Sequence, residues 1–159
     1  MECILPANAR SEVKIDAARV GDALLDGIID RLEINDGYAI ITDYKTGAPL
    51  SSFTTRDKTK EVKAWRHRSQ LIFYALLLKS SSSFPSINSV AGQVIYLEAD
   101  SIKDFSKTYN PTDDEIERMG RLVNKVWQLI IKLDFPDTAK YTDDLAGILR
   151  FEEDLLNGN

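Results

Sequence analysis

Two apolar runs separated by a tight turn constrain the fold of this chain more than any other feature. The runs ALLDGIIDRLEI (residues 23–34) and YAIITDYK (residues 38–45) are rich in β-branched and aromatic side chains, and Asp36 and Gly37 lie between them. An Asp-Gly pair supplies the positive φ angles that a two-residue hairpin turn requires. The sequence therefore predicts a β-hairpin over residues 24–45, preceded by a further extended segment, SEVKIDAARV, at residues 11–20.

The segments after the hairpin predict helices and one more strand. Residues 61–79 contain QLIFYALLL and are apolar almost all round, which is typical of a buried helix. AGQVIYLE at residues 91–98 predicts a buried strand, and Thr112 with Glu115 has the capping-box spacing that begins another helix. A short last helix should end at Gly158. This order predicts a single mixed α/β domain over residues 1–159, with helices packed on a small sheet.

Composition excludes several classes of protein. The longest apolar run, residues 71–78, is too short to cross a membrane. Cys3 is the only cysteine, which excludes an internal disulfide, a cysteine zinc site and an iron–sulfur cluster held within this chain. A lone cysteine also fits a reducing compartment, so we expect a cytoplasmic protein that does not contact membranes.

Charge is unevenly distributed along the chain. The formal net charge of −5 argues against a polyanionic partner, and residues 112–159 alone carry eleven acids and six bases. Residues 54–68, however, carry six bases and two acids, a local excess of +4. Such a run is either an ordinary solvated surface or an edge that faces nucleic-acid phosphates. The six bases are Arg56, Lys58, Lys60, Lys63, Arg66 and Arg68.

The predicted hairpin carries two aspartates and a lysine. Asp43 and Lys45 alternate on one strand, so their side chains leave the same face, roughly 6.5 Å apart along it. If the register places Asp30 beside Asp43, two carboxylates at ~4 Å repel by about 1 kcal/mol in water and about 4 kcal/mol when partly buried. A divalent cation such as Mg²⁺ would remove this repulsion, and Lys45 could stabilise charge on a reacting phosphate. An exposed ion pair between Asp43 and Lys45, with Asp30 and Arg31 as a charge pair at the strand edge, explains the same residues equally well.

The wider pattern resembles a known family. GIIDR at residues 27–31, DYKTG at residues 43–47 and QLIFYALLL at residues 70–78 resemble the motifs of the RecB-like nucleases of the PD-(D/E)xK superfamily. The resemblance implies a restriction-endonuclease-like mixed sheet flanked by helices, and a DNA exonuclease that depends on Mg²⁺ or Mn²⁺ and belongs to a DNA-repair helicase–nuclease. The implied site residues are the metal ligands Asp30, Asp43 and the carbonyl of Tyr44, the catalytic Lys45, and Gln70 and Tyr74 on a helix beside the active site.

Gln70 and Tyr74 also have a purely structural explanation. The two residues are one turn apart on the predicted helix and so share a face. A glutamine in an apolar helix needs a hydrogen-bond partner. A core glutamine bonded to the backbone would meet this need without any role in catalysis.

The sequence departs from the family in two respects. Members commonly carry an upstream helix whose histidine or glutamate completes the metal site, and nothing before Glu12 is expected to supply it. The cysteines that bind an iron–sulfur cluster in some relatives are absent. We therefore expect the carboxy-terminal portion of a longer helicase–nuclease, with little activity alone and with DNA and the rest of that polypeptide as partners. His67, the only histidine, is expected to face solvent or to contact phosphate.

Two other functions stay open at this stage. A nuclease-fold module that has lost turnover could serve as a DNA-binding or scaffolding part of a repair complex, since a fold alone does not establish an activity. A small-molecule-binding α/β domain is compatible with the ordinary composition.

Overall fold

The first three strands form two consecutive antiparallel hairpins. The structure, a computed structural model, describes residues 8–158; Cys3 and the rest of residues 1–7, like Asn159, lie outside this part. The strands are β1 (Ala9–Val20), β2 (Ala23–Asn35) and β3 (Tyr38–Lys45). Asp36 and Gly37 make the second turn with φ angles of 46° and 81°. Because a type I′ turn requires positive φ at both central residues, the predicted hairpin forms as expected.

A helical crossover completes the sheet. Helix α1 (Glu61–Ser80) connects β3 to β4 (Ser89–Tyr96), and these two strands pair in parallel. A parallel pair cannot be joined by a tight turn, so the intervening helix is required. The short helix α2 (Ile102–Phe105) leads into β5 (Ser106–Tyr109), which pairs antiparallel with β4. Helices α3 (Asp113–Lys132) and α4 (Leu145–Asn157) follow, and the strand order within the described residues is β1-β2-β3-β4-β5.

Helix α1 forms the centre of the core. It contacts strands β1 to β4 and helix α3, and Leu71, Leu77 and Leu78 on it are fully buried. Gly92 of β4 lies directly under Leu71: a Cβ atom at Gly92 would come within 2.9 Å of the Leu71 Cβ atom. The absence of a side chain at this position therefore lets helix and sheet approach closely.

The mixed sheet with helices packed on it confirms the predicted fold class. The capping box is also confirmed, because Thr112 and Glu115 each accept a hydrogen bond from the other's backbone N–H. Strand β4 begins and ends two residues earlier than predicted. Helix α2 and strand β5 were not predicted, since four residues are too few to show a period. No helix within residues 8–158 is long and apolar enough to span a membrane.

We expect the substitution Gly92→Ala to destabilise the fold by about 1–3 kcal/mol, because the new methyl group would force α1 away from β4. Gly120→Ala is the matched control. A Cβ atom there would meet Leu76 and Val20 at ordinary contact distances of 3.5 and 3.7 Å, and alanine favours a helix by about 0.5–1 kcal/mol over glycine. Urea unfolding should therefore give opposite signs for the two variants. Equal stability of Gly92→Ala and the parent would contradict the close approach of helix and sheet.

Candidate active site

Strand β3 ends in a buried ion pair. Asp43 is only 2% exposed, and its Oδ1 and Oδ2 atoms lie 3.0 and 2.8 Å from the Lys45 Nζ atom. Alternation along the strand gives both side chains the same direction, as predicted. The exposed ion pair that the sequence also allowed does not form, because the carboxylate is enclosed by the protein.

Helix α1 supplies the next contacts to Lys45. The Gln70 Oε1 atom accepts a hydrogen bond from Lys45 Nζ at 2.8 Å, and Gln70 Nε2 donates to the Tyr74 hydroxyl at 2.9 Å. The glutamine is thus bonded to side chains, and its acceptor is used by the lysine of the DYKTG motif. Burial raises the pKa of the Tyr74 phenol, while its bond to Gln70 opposes the rise, so this hydroxyl stays protonated at neutral pH. Asp43, Lys45, Gln70 and Tyr74 form one continuous polar chain.

Asp30 lies at the same end of the hairpin. The pairing of β2 with β3 ends with Arg31 opposite Thr42, and Asp30 and Asp43 are the residues next to this pair. The Asp30 Oδ2 atom accepts a hydrogen bond from the Tyr44 backbone N–H at 2.9 Å. The structure therefore brings Asp30, Asp43 and Lys45 together at one place.

The Asp43 carboxylate is only partly neutralised by its protein neighbours. Burial raises the pKa of Asp43 above its ordinary value; the hydrogen bond and charge of Lys45 oppose the rise, and the negative charge of Asp30 adds to it. Although Asp43 Oδ2 is close to Lys45 Nζ, it is buried without a hydrogen-bond partner. A buried carboxylate with a single cationic neighbour is costly, and a second cation would offset this cost.

The available ligands fit a hard divalent cation. The candidate donors are carboxylate oxygens of Asp30 and Asp43 and the backbone carbonyl of Tyr44, all of which are oxygen. Mg²⁺ and Mn²⁺ favour oxygen ligands and keep several waters, whereas zinc sites favour nitrogen and sulfur. Among residues 8–158, no group of three or more His, Cys, Asp or Glu side chains is arranged to hold a metal ion. Water or substrate would have to complete the coordination of an ion held by two carboxylates.

His67 does not face solvent, so that part of the prediction is wrong; its contact with phosphate stays a prediction. Its side chain is buried, and its Nδ1 atom lies 3.0 Å from the hydroxyl of Tyr96 on β4. Burial, together with the positive charges of Lys45, Lys63 and Arg66, lowers the pKa of His67 to about 4. The imidazole is therefore neutral at physiological pH. A helix that is apolar almost all round does not show by its period which side faces water, and this is why the sequence was misleading.

The six basic residues of the predicted DNA-contacting run lie in different surroundings. Lys58 and Lys60 precede α1 and form ion pairs with Glu61 and Asp57. Lys63 and Arg66 precede Gln70 by seven and four residues and therefore share its side of the helix. Arg68 lies on another side, where its charge acts on Tyr109 and Glu115, and Arg56 is in the exposed loop before the helix.

One carboxylate near this end of the sheet was missed by the sequence analysis. Glu98, just after β4, accepts a hydrogen bond from the Gly47 N–H at 2.9 Å, and the neighbouring Leu97 N–H donates to the Lys45 carbonyl at 3.0 Å. These two bonds attach the end of β3 to the segment that follows β4. Only the parallel pairing of the strands brings positions 47 and 98 together, so no local pattern could have shown it.

We expect the neutral His67 to make the fold sensitive to mild acid. Its pKa of about 4 lies below the ordinary value of 6.5, so the unfolded chain binds a proton first and stability falls as pH drops from 6.5 towards 4. Between pH 7.5 and 5.5 the loss should be about 1 kcal/mol. His67→Gln should remove this part of the pH dependence in urea unfolding. If the free energy of unfolding fell equally with pH in the parent and in the variant, His67 would not be held neutral.

A comparison with protein families identifies the family of this chain. A model of the PD-(D/E)XK nuclease superfamily matches residues 5–142, a range that contains all the site residues described above. No curated protein sequence matches. The solved structures similar to the chain include one described as the crystal structure of SSO0001, with 25% identity and a TM-score of 0.44 over 77% of this chain and 50% of that one. The mixed five-stranded sheet is consistent with the restriction-endonuclease-like fold, and the chain belongs to the PD-(D/E)XK nuclease superfamily.

Proposed function

We propose that this chain is a metal-dependent deoxyribonuclease domain that hydrolyses phosphodiester bonds, acting as an exonuclease on DNA ends. The observation that carries the proposal is the position of Lys45 Nζ between the buried Asp43 carboxylate and Gln70 Oε1, with Asp30 beside them. Membership of the superfamily supports nuclease activity. Metal dependence, DNA as the substrate and attack from the ends are the further steps of the proposal.

Lys45 is positioned to stabilise negative charge on a phosphate. Its ammonium group has three protons, and hydrogen bonds to Asp43 Oδ1 and Gln70 Oε1 use two of them. The third proton is available to a phosphate oxygen or to an attacking water. Because both partners come from ordered elements, the ammonium group needs little reorganisation before it acts.

Asp30, Asp43 and the carbonyl of Tyr44 would hold Mg²⁺ or Mn²⁺. When bound, the ion supplies positive charge to the scissile phosphate and promotes ionisation of a water molecule. The contribution of the chain is to hold two carboxylates together, one of them with an unbonded buried oxygen. The contact between Asp30 Oδ2 and the Tyr44 N–H limits the rotation of the first of these carboxylates.

The basic residues Arg56, Lys58, Lys60, Lys63, Arg66 and Arg68 are proposed to contact the DNA backbone. Lys63 and Arg66 should contribute most, because they lie on the side of α1 that carries Gln70. Lys58 and Lys60 are paired with acids and would have to exchange them for phosphates. Arg68 should contribute least, because its charge already acts on Glu115.

The proposed setting is a RecB-like, DNA-repair helicase–nuclease polypeptide in the cytoplasm. The support is the spacing of the GIIDR, DYKTG and QLIFYALLL motifs and a cysteine content that fits a reducing compartment. The alternative function is DNA binding or scaffolding without turnover. That alternative would be correct if the protein, tested together with the rest of its polypeptide, bound DNA ends and released no nucleotides.

In the protein tested together with the rest of its polypeptide, we expect Asp30→Ala, Asp43→Ala and Lys45→Ala each to reduce Mg²⁺-dependent cleavage of linear DNA by about a hundredfold or more, because each removes charge from the reacting site. Nucleotide release from end-labelled DNA measures the effect, and circular dichroism checks that each variant is folded. Excess EDTA should stop the parent protein.

Lys14 and Asp16 provide a matched control. They form an ion pair with the same spacing on strand β1, but both side chains are more than half exposed. Lys14→Ala and Asp16→Ala should leave cleavage unchanged. Cleavage that survives Asp43→Ala, or that continues in EDTA, would exclude the metal-dependent mechanism.

We also expect the double variant Lys63→Gln/Arg66→Gln to weaken DNA binding and to reduce the slope of log K against log salt by up to about 1.8, the value for two phosphate contacts. Titrations at several salt concentrations by fluorescence anisotropy give this slope. Lys132→Gln/Arg150→Gln makes the same charge change on α3 and α4 and should leave the slope unchanged. If Lys63→Gln/Arg66→Gln and the parent had equal slopes of log K against log salt, Lys63 and Arg66 would belong to an ordinary solvated surface that does not contact DNA.

A further inference from the structure

His67 and Tyr96 form a second polar contact between the sheet and α1, next to the contact that Lys45 makes. Lys45 and Tyr96 are paired residues at the ends of the parallel strands β3 and β4. Lys45 Nζ contacts Gln70, and the Tyr96 hydroxyl contacts His67, which lies one helical turn before Gln70. Two neighbouring strand ends are thus joined to successive turns of one helix.

The surroundings of Tyr96 are otherwise apolar. Tyr96 is fully buried, and the side chains clustered around it are Leu50, Phe53, Ala64, Leu71 and Val94. Phenylalanine would fill this space without a polar atom that needs a partner. A bonded polar pair in such a place adds little net stability, because each group first loses its bonds to water. Its particular effect is directional: it restricts where the helix lies relative to the strand.

The contact needs an uncharged partner on the helix. Lys45 on β3 and Lys63 and Arg66 on α1 are the positive groups that act on His67. A second ammonium or guanidinium group at this position would repel Lys45. The Tyr96 hydroxyl lies 3.0 Å from His67 Nδ1, and a neutral imidazole whose proton is on Nε2 can accept its hydrogen bond. This contact adds no charge beside Lys45.

We propose that His67 and Tyr96 are positioning residues that hold α1 at the distance from β3 at which Gln70 can orient the Lys45 ammonium group. Neither residue touches the reacting atoms. The proposal deepens the proposed nuclease function and rests on it for its catalytic consequence, whereas the positioning of Lys45 itself can be measured without any reaction.

Tyr96→Phe is the central test, because it removes one buried hydroxyl and changes no volume. In single-turnover and steady-state assays we expect kcat to fall at least tenfold while KM for DNA stays within threefold. His67→Phe should have the same effect, and the double variant should be no worse than either single variant. His67→Asn offers an acceptor oxygen close to the position of Nδ1 and should recover most of the lost kcat.

Tyr109→Phe is the matched control. The Tyr109 ring packs against the same cluster as Tyr96, but its hydroxyl donates to Glu115 at the start of α3, so the variant removes a hydroxyl that is bonded to α3 rather than to α1. This variant should lose stability in urea and keep its kcat. If Tyr96→Phe also lost only stability, or if the effects of His67→Phe and Tyr96→Phe were additive, the positioning role would be wrong.

A second readout separates this proposal from the nuclease function. The ¹⁵N NMR signal of the Lys45 ammonium group, assigned with Lys45→Arg, should be visible and slowly exchanging in the parent. It should broaden in Tyr96→Phe and His67→Phe and persist in His67→Asn and Tyr109→Phe. A parent that cleaves no DNA even when tested together with the rest of its polypeptide, but shows this pattern, would overturn the nuclease function alone. An unchanged Lys45 signal in Tyr96→Phe would overturn the positioning role whatever the activity.

Discussion

The arrangement of the site depends on burying the Asp43 carboxylate at the end of β3. A carboxylate that is 2% exposed needs a positive partner, and Lys45, two residues later on the same face, is the nearest one available. Lys45 alone does not offset the burial in full, because the pKa of Asp43 is still raised above its ordinary value. The remaining demand for positive charge is the physical reason why this place suits a cation rather than a hydrophobic core.

The connection between β3 and β4 determines which side chains lie beside Asp43 and Lys45. Parallel pairing requires a crossover, and α1 returns across the sheet so that Gln70 reaches Lys45 and His67 reaches Tyr96. The close approach at Gly92 sets the distance between α1 and the same strand, β4. Core packing and site geometry are therefore coupled through one helix, and a shift of α1 would disturb both.

The parts of the site that could be predicted depend on local periods. The alternation of side chains along a strand predicts that Asp43 and Lys45 share one face, and they do. The Asp-Gly turn predicts that Asp30 lies near them, and the helical period predicts that Gln70 and Tyr74 are neighbours. The contacts of Tyr96 and Glu98 depend on the register of β4 against β3, which no local pattern contains. The burial of His67 was mispredicted for the same reason, since only the packed sheet shows which side of α1 it covers.

The distribution of charge around Lys45 is compatible with the proposed action of an acidic chain on a polyanion. Under that proposal the carboxylates of Asp30 and Asp43 would hold a cation, and Lys63 and Arg66, whose charges act on His67 of α1, would contact phosphates. Opposite charges held this close would collapse into ion pairs if their side chains were free to meet. Gln70 prevents part of this by bonding Lys45 without charge, and the neutral His67 fills the adjacent turn of the helix. Uncharged polar groups between the acids and the bases therefore keep both available to a substrate.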